Sequence, residues 1–181
     1  MKLFVIRHFQ RYEGHGIYTK LTRQGIINAN NFAKDVSETI KPTHIYSSPF
    51  LRALQTTEFV TRSLTNIRID CVLSERWEEE YFDPIQLSSC IVGIPLLYIN
   101  KCDKKYTPIM DEMNLKSPET FEQVVERIKL FISNIRKIHS ETDRILVVTH
   151  SSVVNAFKKA CEDIGDDSTD HPYGEVYEYD I

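Results

Sequence analysis

The stretch LFVIRHFQ, residues 3–10, decides the fold because an apolar run leads directly into two polar side chains. The apolar residues from Leu3 to Ile6 predict a strand that is covered on both faces, as is typical of parallel sheets with helices on either side. Arg7 and His8 follow at the point where this strand ends. Because an unpaired cation is costly beside a packed core, we interpret Arg7 and His8 as candidate functional residues.

The rest of the chain alternates between predicted strands and predicted helices. Apolar or alternating patterns predict strands at residues 2–6, 44–46, 67–73, 144–148 and 175–179. Periodic apolar patterns with capping residues predict helices at residues 22–36, at 49–64, from Ser117 or Thr120 to His139, and at 151–162. This order predicts a single α/β domain over residues 1–181, a three-layer α/β/α sandwich with a mainly parallel central sheet. Residues 76–116 lack a clear pattern, and we expect a lid or insertion there.

Composition narrows the classes of protein that fit. Of 181 residues, 41% are hydrophobic and 27% are charged, which is typical of a globular domain. The net charge of −4 argues against a nucleic-acid-binding protein. We expect no membrane association, because no apolar run approaches the roughly 18 residues of a membrane span and the N-terminus does not resemble a signal peptide. The four cysteines lie far apart and are interpreted as reduced thiols of a cytoplasmic protein. No pattern indicates an oligomeric state.

Polar side chains follow several of the predicted strands. His150 comes after strand 144–148, Arg52 lies just after strand 44–46, and Glu75 follows strand 67–73. Because the carboxyl ends of parallel strands meet at one edge of a sheet, we expect these residues to join Arg7 and His8 in one crevice. Two guanidinium groups and two helix N-termini suit the oxygens of a phosphate monoester.

The sequence lacks the motifs of other protein classes that bind or cleave phosphate groups. The chain contains no GxxxxGK[ST] loop, so a P-loop nucleotide site is not predicted. None of its cysteines begins a CxxxxxR loop, and no run of residues has the spacing of metal ligands. We therefore expect no cofactor and no metal.

Several motifs resemble those of the histidine phosphatase superfamily, in its phosphoglycerate mutase-like branch. The matching pieces lie in family order along nearly the whole chain: VIRHFQ, LTRQGIINA, IYSSPFLRALQTTE, LSER, SPETFEQVVERI and LVVTHSSVV. The first resembles the family's RHG signature, and the third resembles its SSPxxRAxQTA element. The last resembles its VSHGG element.

This resemblance implies a role for each candidate residue. His8 would be the nucleophile that becomes phosphorylated, while Arg7, Arg52 and His150 would bind the phosphoryl group. Glu75 would donate and accept the proton, although the sequence leaves neighbouring acids as alternatives, namely Glu78, Glu79 and Glu80. The implied function is metal-independent hydrolysis of phosphate monoesters through a phosphohistidine on His8, with a phosphorylated small molecule or phosphopeptide as substrate.

Four positions depart from the family pattern. Phe9 replaces the glycine after the nucleophile, Ser151 and Ser152 replace the glycines after His150, and Gly14 replaces an asparagine of the mutases. Arg11 is a candidate extra contact to the substrate. These departures keep two alternatives open: a phosphoglycerate mutase-type phosphotransferase, and a catalytically impaired phosphate-binding or scaffold domain.

Overall fold

A computed structural model of the protein describes residues 1–14, 16–61, 66–77, 98, 100–110 and 118–181 and contains one five-stranded sheet. Its strands are β1 (Lys2–Arg7), β2 (His44–Ser47), β3 (Ile67–Ile69), β4 (Arg144–Thr149) and β5 (Val176–Asp180). They lie in the order β3-β2-β4-β1-β5. All neighbours are parallel except β5, which pairs antiparallel with β1 at one edge. The predicted mainly parallel sheet is thus confirmed.

Helices cover both faces of this sheet. The described residues form α1 (Arg23–Asp35), α2 (Leu51–Thr61), α3 (Phe121–Ile138) and α4 (Ser151–Glu162). One five-residue π-helical turn, Val36–Ile40, extends α1. Helices α1 and α2 pack together, as do α3 and α4.

Successive residues of β1 point to opposite faces, as in any strand. Leu3 and Val5 pack in the hydrophobic cluster that contains the apolar faces of α3 and α4. Phe4 and Ile6 pack in a second cluster, with residues of α1 and α2. Burial on both faces explains why β1 is apolar from Leu3 to Ile6. The predicted three-layer α/β/α architecture is confirmed.

The start of α1 is locked against the segment that follows β1. Thr22 caps the helix, and its hydroxyl accepts a hydrogen bond from the Gly25 N–H at 2.9 Å. A Cβ atom on Gly25 would lie 2.1 Å from the Gln10 carbonyl oxygen, so only glycine allows this approach. Gln10 in turn accepts a hydrogen bond from the Thr22 N–H at 2.9 Å. This packing fixes the path of the chain immediately after His8.

The other predicted cap is also present. Thr120 and Gln123 form a capping box at the start of α3, whereas Ser117 lies outside the described residues. The helix ends at Ile138, one residue before the predicted end.

The strand predicted at residues 67–73 is wrong beyond Ile69. Residues Cys71–Leu73 form a 3₁₀ turn, which Asp70 caps by accepting a hydrogen bond from the Val72 N–H at 3.0 Å. The same carboxylate accepts a hydrogen bond from the Ile109 N–H at 2.6 Å. These bonds turn the chain out of the sheet, and the turn leads to Glu75.

The predicted lid or insertion at residues 76–116 falls for the most part outside the described residues. The single domain over residues 1–181 likewise stays a prediction. In the described part of the chain, no helix is long and apolar enough to cross a membrane.

Candidate active site

His8 and His150 lie side by side at the carboxyl edge of the sheet. Strands β1 and β4 are neighbours in which Arg7 pairs with Thr149, so the residue that follows each strand reaches the same level. The His8 N–H donates a hydrogen bond to the Thr149 carbonyl at 2.8 Å. The two imidazole ring centres are 5.2 Å apart, with an angle of 66° between the rings, and both side chains are buried.

The tautomer of His8 follows from its contacts. Nδ1 lies 2.7 Å from the Phe9 carbonyl oxygen, which can only accept, so Nδ1 carries the hydrogen. Nε2 then bears the lone pair and lies 3.2 Å from Nε of Arg52. Burial, followed by the positive charge of Arg52, holds the pKa of His8 well below its ordinary value. His8 is therefore a neutral imidazole, and its Nε2 lone pair accepts a hydrogen bond from Nε of Arg52.

Phe9 leaves this arrangement intact although it replaces a glycine of the family pattern. Its carbonyl receives the His8 hydrogen bond, and its N–H donates to the Thr56 hydroxyl at 3.0 Å. The buried ring packs at 5.8 Å from that of Phe32. A Cβ on Gly174 would lie only 2.9 Å from the Phe9 ring, so the glycine at position 174 leaves space for this side chain.

Arg52 supplies a buried positive charge. It lies in the first turn of α2 and is 1% exposed. Burial lowers its pKa to about 10, which leaves it charged at neutral pH. Its Nη1 donates to the Gly16 carbonyl at 3.0 Å, and its Nη2 lies 3.8 Å from the Glu75 carboxylate. Because these contacts fix the guanidinium from several sides, its Nε remains directed at the lone pair of His8.

Arg7 is held by the segment between α4 and β5. Its Nη1 donates to the Asp170 carboxylate at 2.7 Å and to the His171 carbonyl at 2.6 Å. The ring of Tyr173 lies 4.6 Å from the guanidinium carbon and 6.1 Å from the His8 ring. Nε of Arg7 is buried and has no hydrogen-bond partner within the described part of the chain. An anion in the crevice would supply that missing acceptor.

His150 is aligned by residues from two further strand ends. Its Nε2 lies 2.8 Å from the hydroxyl of Ser48, which follows β2. Its Nδ1 lies 3.4 Å from Oε2 of Glu75. Burial and the charge of Arg52 hold the pKa of His150 well below its ordinary value. The structure thus brings together the residues that sequence reasoning selected from four strand ends.

Glu75 lies at the edge of this group. Its side chain is 24% exposed, and its second carboxylate oxygen, Oε1, accepts a hydrogen bond from the Ser152 hydroxyl. The alternative acids Glu78, Glu79 and Glu80 lie outside the described residues. Among the candidates that can be located, Glu75 is the carboxylate beside both His150 and Arg52.

Arg11 is part of the rim. Its Nη1 donates to the carbonyls of Tyr12, at 3.1 Å, and Gly14 in its own loop. Its charge is near enough to contribute to the lowered pKa values of His8 and Arg52. Arg11 therefore adds positive potential to the crevice.

The sequence patterns did not single out Asp170, His171 or Tyr173. His171 is buried: its Nε2 lies 2.7 Å from Oδ1 of Asn155, and its Nδ1 lies 2.8 Å from the hydroxyl of Tyr177. The segment around these residues is short, polar and without periodicity. No local pattern in it could have indicated contact with Arg7.

The donor set at the crevice does not suit a metal ion. One ligand atom each from His8, Glu75 and His150 can be grouped within 4.8 Å. However, Nδ1 of His8 carries the hydrogen that it donates to the Phe9 carbonyl, and the guanidinium of Arg52 faces Nε2. A cation would meet this positive charge, whereas an anion would be stabilised by it.

A second group, His44, His139 and Asp143, lies at the opposite end of the sheet. Nη1 of Arg68 is 2.9 Å from Nε2 of His139 and can only donate, so Nε2 accepts and Nδ1 carries the hydrogen. The ring nitrogen that faces Asp143 therefore has no lone pair for a metal. This group is better described as a hydrogen-bonded cluster that ties β2 to the end of α3.

These features define an α/β protein with two histidines, two arginines and a carboxylate gathered at the carboxyl edge of its sheet, and comparison with known proteins gives its family. The sequence profile of the histidine phosphatase superfamily (branch 1) matches residues 6–176, so the chain belongs to that superfamily. No curated protein sequence matches the chain significantly.

Solved structures are similar over nearly the whole chain. YhfR of Bacillus stearothermophilus has 23% identity and a TM-score of 0.70, with 98% of this chain and 89% of that one covered. A mycobacterial glucosyl-3-phosphoglycerate phosphatase, solved with VO3, has 19% identity and a TM-score of 0.69, with 98% and 91% covered. The phosphoserine phosphatase of Entamoeba histolytica, solved with 3-phosphoglyceric acid, has 16% identity and a TM-score of 0.67, with 98% and 89% covered. At these identities the similarity establishes the fold.

Proposed function

We propose that this protein is a metal-independent phosphatase that hydrolyses phosphate monoesters through a phosphohistidine on His8. The observation that carries the proposal is the state of the His8 ring. Nδ1 donates to the Phe9 carbonyl at 2.7 Å, so Nε2 keeps its lone pair beside the Arg52 guanidinium. A nucleophilic imidazole needs this tautomer, and a phosphoryl group needs the adjacent positive charge.

In the first step the lone pair on Nε2 of His8 forms a bond to phosphorus, and the ester P–O bond breaks. The electron pair of that bond leaves on the alcohol oxygen, which takes a proton from the carboxylic acid of Glu75. Arg7 and Arg52 stabilise the charge on the phosphoryl oxygens. His150 completes the site as a further contact to these oxygens.

In the second step a water molecule attacks phosphorus, and Glu75, now a carboxylate, accepts the proton of that water. The N–P bond breaks, its electron pair returns to Nε2, and inorganic phosphate is released. The carboxylate that supports this role lies 3.4 Å from His150 and 3.8 Å from Arg52, at the partly exposed edge of the crevice. Water and leaving group can both reach that edge.

The substrate class is a phosphorylated small molecule or a phosphopeptide. Structural neighbours support the first of these, because they include a glucosyl-3-phosphoglycerate phosphatase and a phosphoserine phosphatase. Vanadate is a suitable probe, since one neighbour was solved with VO3.

The test is acid-sensitive phosphoenzyme trapping. The protein is mixed with a ³²P-labelled phosphate monoester, quenched in alkali or in acid, and digested for peptide mapping. We expect alkali-stable, acid-labile label on the peptide that contains His8, release of inorganic phosphate, and unchanged rates after chelator treatment. His8→Asn should lose the label.

Each other outcome overturns the proposal in a recognisable way. Return of an isomeric phosphate ester that depends on a bisphosphate primer would indicate a mutase. Vanadate binding without any phosphoenzyme would indicate a phosphate-binding or scaffold domain. Loss of activity on chelation would contradict the metal-independent mechanism.

A further inference from the structure

The hydroxyl of Ser152, the second residue of α4, contacts the proposed acid directly. It donates a hydrogen bond to Oε1 of Glu75 and accepts one from the backbone N–H of Arg76 at 3.3 Å. Ser152 occupies a position where the related VSHGG element has glycine, which has no side chain to make either contact. The chain therefore carries an interaction that the family pattern does not include.

The directions of these hydrogen bonds are determined by their partners. The Arg76 backbone N–H can only donate, so the Ser152 oxygen is its acceptor. The single hydroxyl proton of Ser152 is then free to point at Glu75. Oε1 of Glu75 is consequently an acceptor in both ionisation states of the carboxyl group.

The acidic proton of Glu75 is thereby directed to the other oxygen. When the carboxyl group is protonated, the tautomer with the proton on Oε2 is favoured, because the carbonyl oxygen is the better acceptor and Oε1 accepts from Ser152. Oε2 is the oxygen that lies 3.4 Å from Nδ1 of His150 and 3.8 Å from Nη2 of Arg52. The proton is therefore on the side that faces the phosphoryl site.

We propose that Ser152 is a positioning residue, whose hydroxyl holds Glu75 so that its acidic proton is presented to the leaving group. This inference rests on the proposed function. In this role Ser152 acts through Glu75 and needs no contact with phosphorus or the leaving oxygen. Its contribution should appear only in reactions that need a proton from Glu75.

The dependence on the leaving group tests this role. Phenyl phosphate releases phenol, whose pKa of about 10 resembles that of a tyrosine side chain, so its departure needs a proton. p-Nitrophenyl phosphate has nearly the same shape but releases a more acidic phenol, which departs as an anion. Comparing kcat/KM for the two esters isolates protonation, because kcat/KM includes steps only up to the first irreversible one.

The experiment compares wild type with Ser152→Ala, Ser152→Thr and, as a matched control, Ser37→Ala. Ser37 lies on the surface after α1, where its hydroxyl donates to the Lys34 carbonyl. We expect Ser152→Ala to lower kcat/KM about tenfold for phenyl phosphate and less than about twofold for p-nitrophenyl phosphate, the size expected for losing one hydrogen bond to a charged group. Ser152→Thr should restore most of the loss, and Ser37→Ala should match wild type on both esters.

An equal loss on the two esters, with an unchanged thermal midpoint, would show that Ser152 shapes the site without directing the proton. No loss on either ester would overturn the inference as well. Both results leave the proposed function standing if wild type forms the phosphohistidine. If wild type hydrolyses neither ester, the proposed function fails first, and the role of Ser152 fails with it.

Discussion

The imidazole of His8 lies 5.2 Å from that of His150, although one follows the first strand and the other follows the fourth. Parallel pairing of β1 with β4 brings them to the same level, and both rings are buried. The pKa of each is lowered, mainly by burial. Two neutral imidazoles cannot attract a phosphate by charge, so the arginines must do so.

Replacing Arg52 by lysine tests whether the arginines, rather than the neutral histidines, bind the phosphoryl group. A lysine keeps one positive charge but cannot face His8 through Nε and Glu75 through Nη2 at once. We expect Arg52→Lys to lower kcat/KM for p-nitrophenyl phosphate by about 100-fold, as is typical when a donor to transition-state oxygens is lost. Steady-state kinetics would measure this, with circular dichroism to confirm folding.

Arg136→Lys is the matched control, since Arg136 is exposed in the last turn of α3. It should leave kcat/KM unchanged. A loss for Arg52→Lys that is no larger than the control would remove Arg52 from the phosphate site.

Asp170 sets the charge around Arg7. Its carboxylate accepts from Nη1 of Arg7 at 2.7 Å while its side chain remains 79% exposed. An incoming phosphate must share Arg7 with this negative charge. We therefore expect Asp170→Asn to tighten binding of inorganic phosphate by about threefold at low salt, in line with the modest strength of exposed ion pairs. Competitive inhibition by phosphate would measure the effect.

Asp163→Asn provides the comparison, because Asp163 is also exposed but pairs with Lys159 at the end of α4. It should not change phosphate binding. Weaker binding in Asp170→Asn would instead mean that the carboxylate is needed to orient Arg7.

Much of the fold could be predicted because its signals are local. The apolar run from Leu3 to Ile6 in β1, the Thr22 cap and the Thr120 capping box each depend on residues within a few positions. The predicted strand at 67–73 is longer than the observed β3, because Asp70 accepts a hydrogen bond from the Ile109 N–H, which is far along the chain. An alternating pattern cannot report such a contact.

Only the site residues that follow strand ends could be predicted from the sequence. His8, Arg52, Glu75 and His150 converge because parallel strands share a carboxyl edge. Asp170 meets Arg7 across 163 positions of sequence, through a segment without periodicity. Such long-range contacts from irregular loops are set by packing around the finished sheet, and no spacing rule reveals them.

The ring of Phe9 packs closely against Gly174. Gly174 has a φ of +77°, and a Cβ there would lie 2.9 Å from the Phe9 ring. We expect Gly174→Ala to reduce the free energy of unfolding by about 2 kcal/mol through crowding and backbone strain. In a Phe9→Ala background the crowding part disappears, so the same change should cost about 1 kcal/mol less. Urea unfolding of the four proteins in this double-mutant cycle measures the coupling.

Gly165→Ala is a control at a glycine of positive φ that does not contact Phe9. Gly165 has a φ of +104°, and its nearest contacts are with Asn155 and Lys158 rather than with Phe9. Its cost should be the same in both backgrounds. Equal costs for Gly174→Ala in both backgrounds would contradict the proposed contact.

Burial of a neutral His8 also predicts how stability depends on pH. The pKa of His8 is lowered in the folded protein, mainly by burial and then by Arg52, so the unfolded chain takes up the proton first as pH falls. Its contribution to stability is therefore complete above the unfolded pKa of about 6.5 and is lost as pH drops below that value, at up to about 1.4 kcal/mol per pH unit.

His8→Asn isolates this contribution from the other histidines whose pKa is lowered, namely His44, His139, His150 and His171. Asparagine can still donate to the Phe9 carbonyl but does not titrate. Between pH 6.5 and 5, the free energy of unfolding should fall less steeply in His8→Asn than in wild type. The difference in slope should approach the value for one bound proton, about 1.4 kcal/mol per pH unit. Urea unfolding across this range measures the difference. Identical slopes would mean that the pKa of His8 is not lowered in the folded protein, which would contradict a buried neutral imidazole at this position.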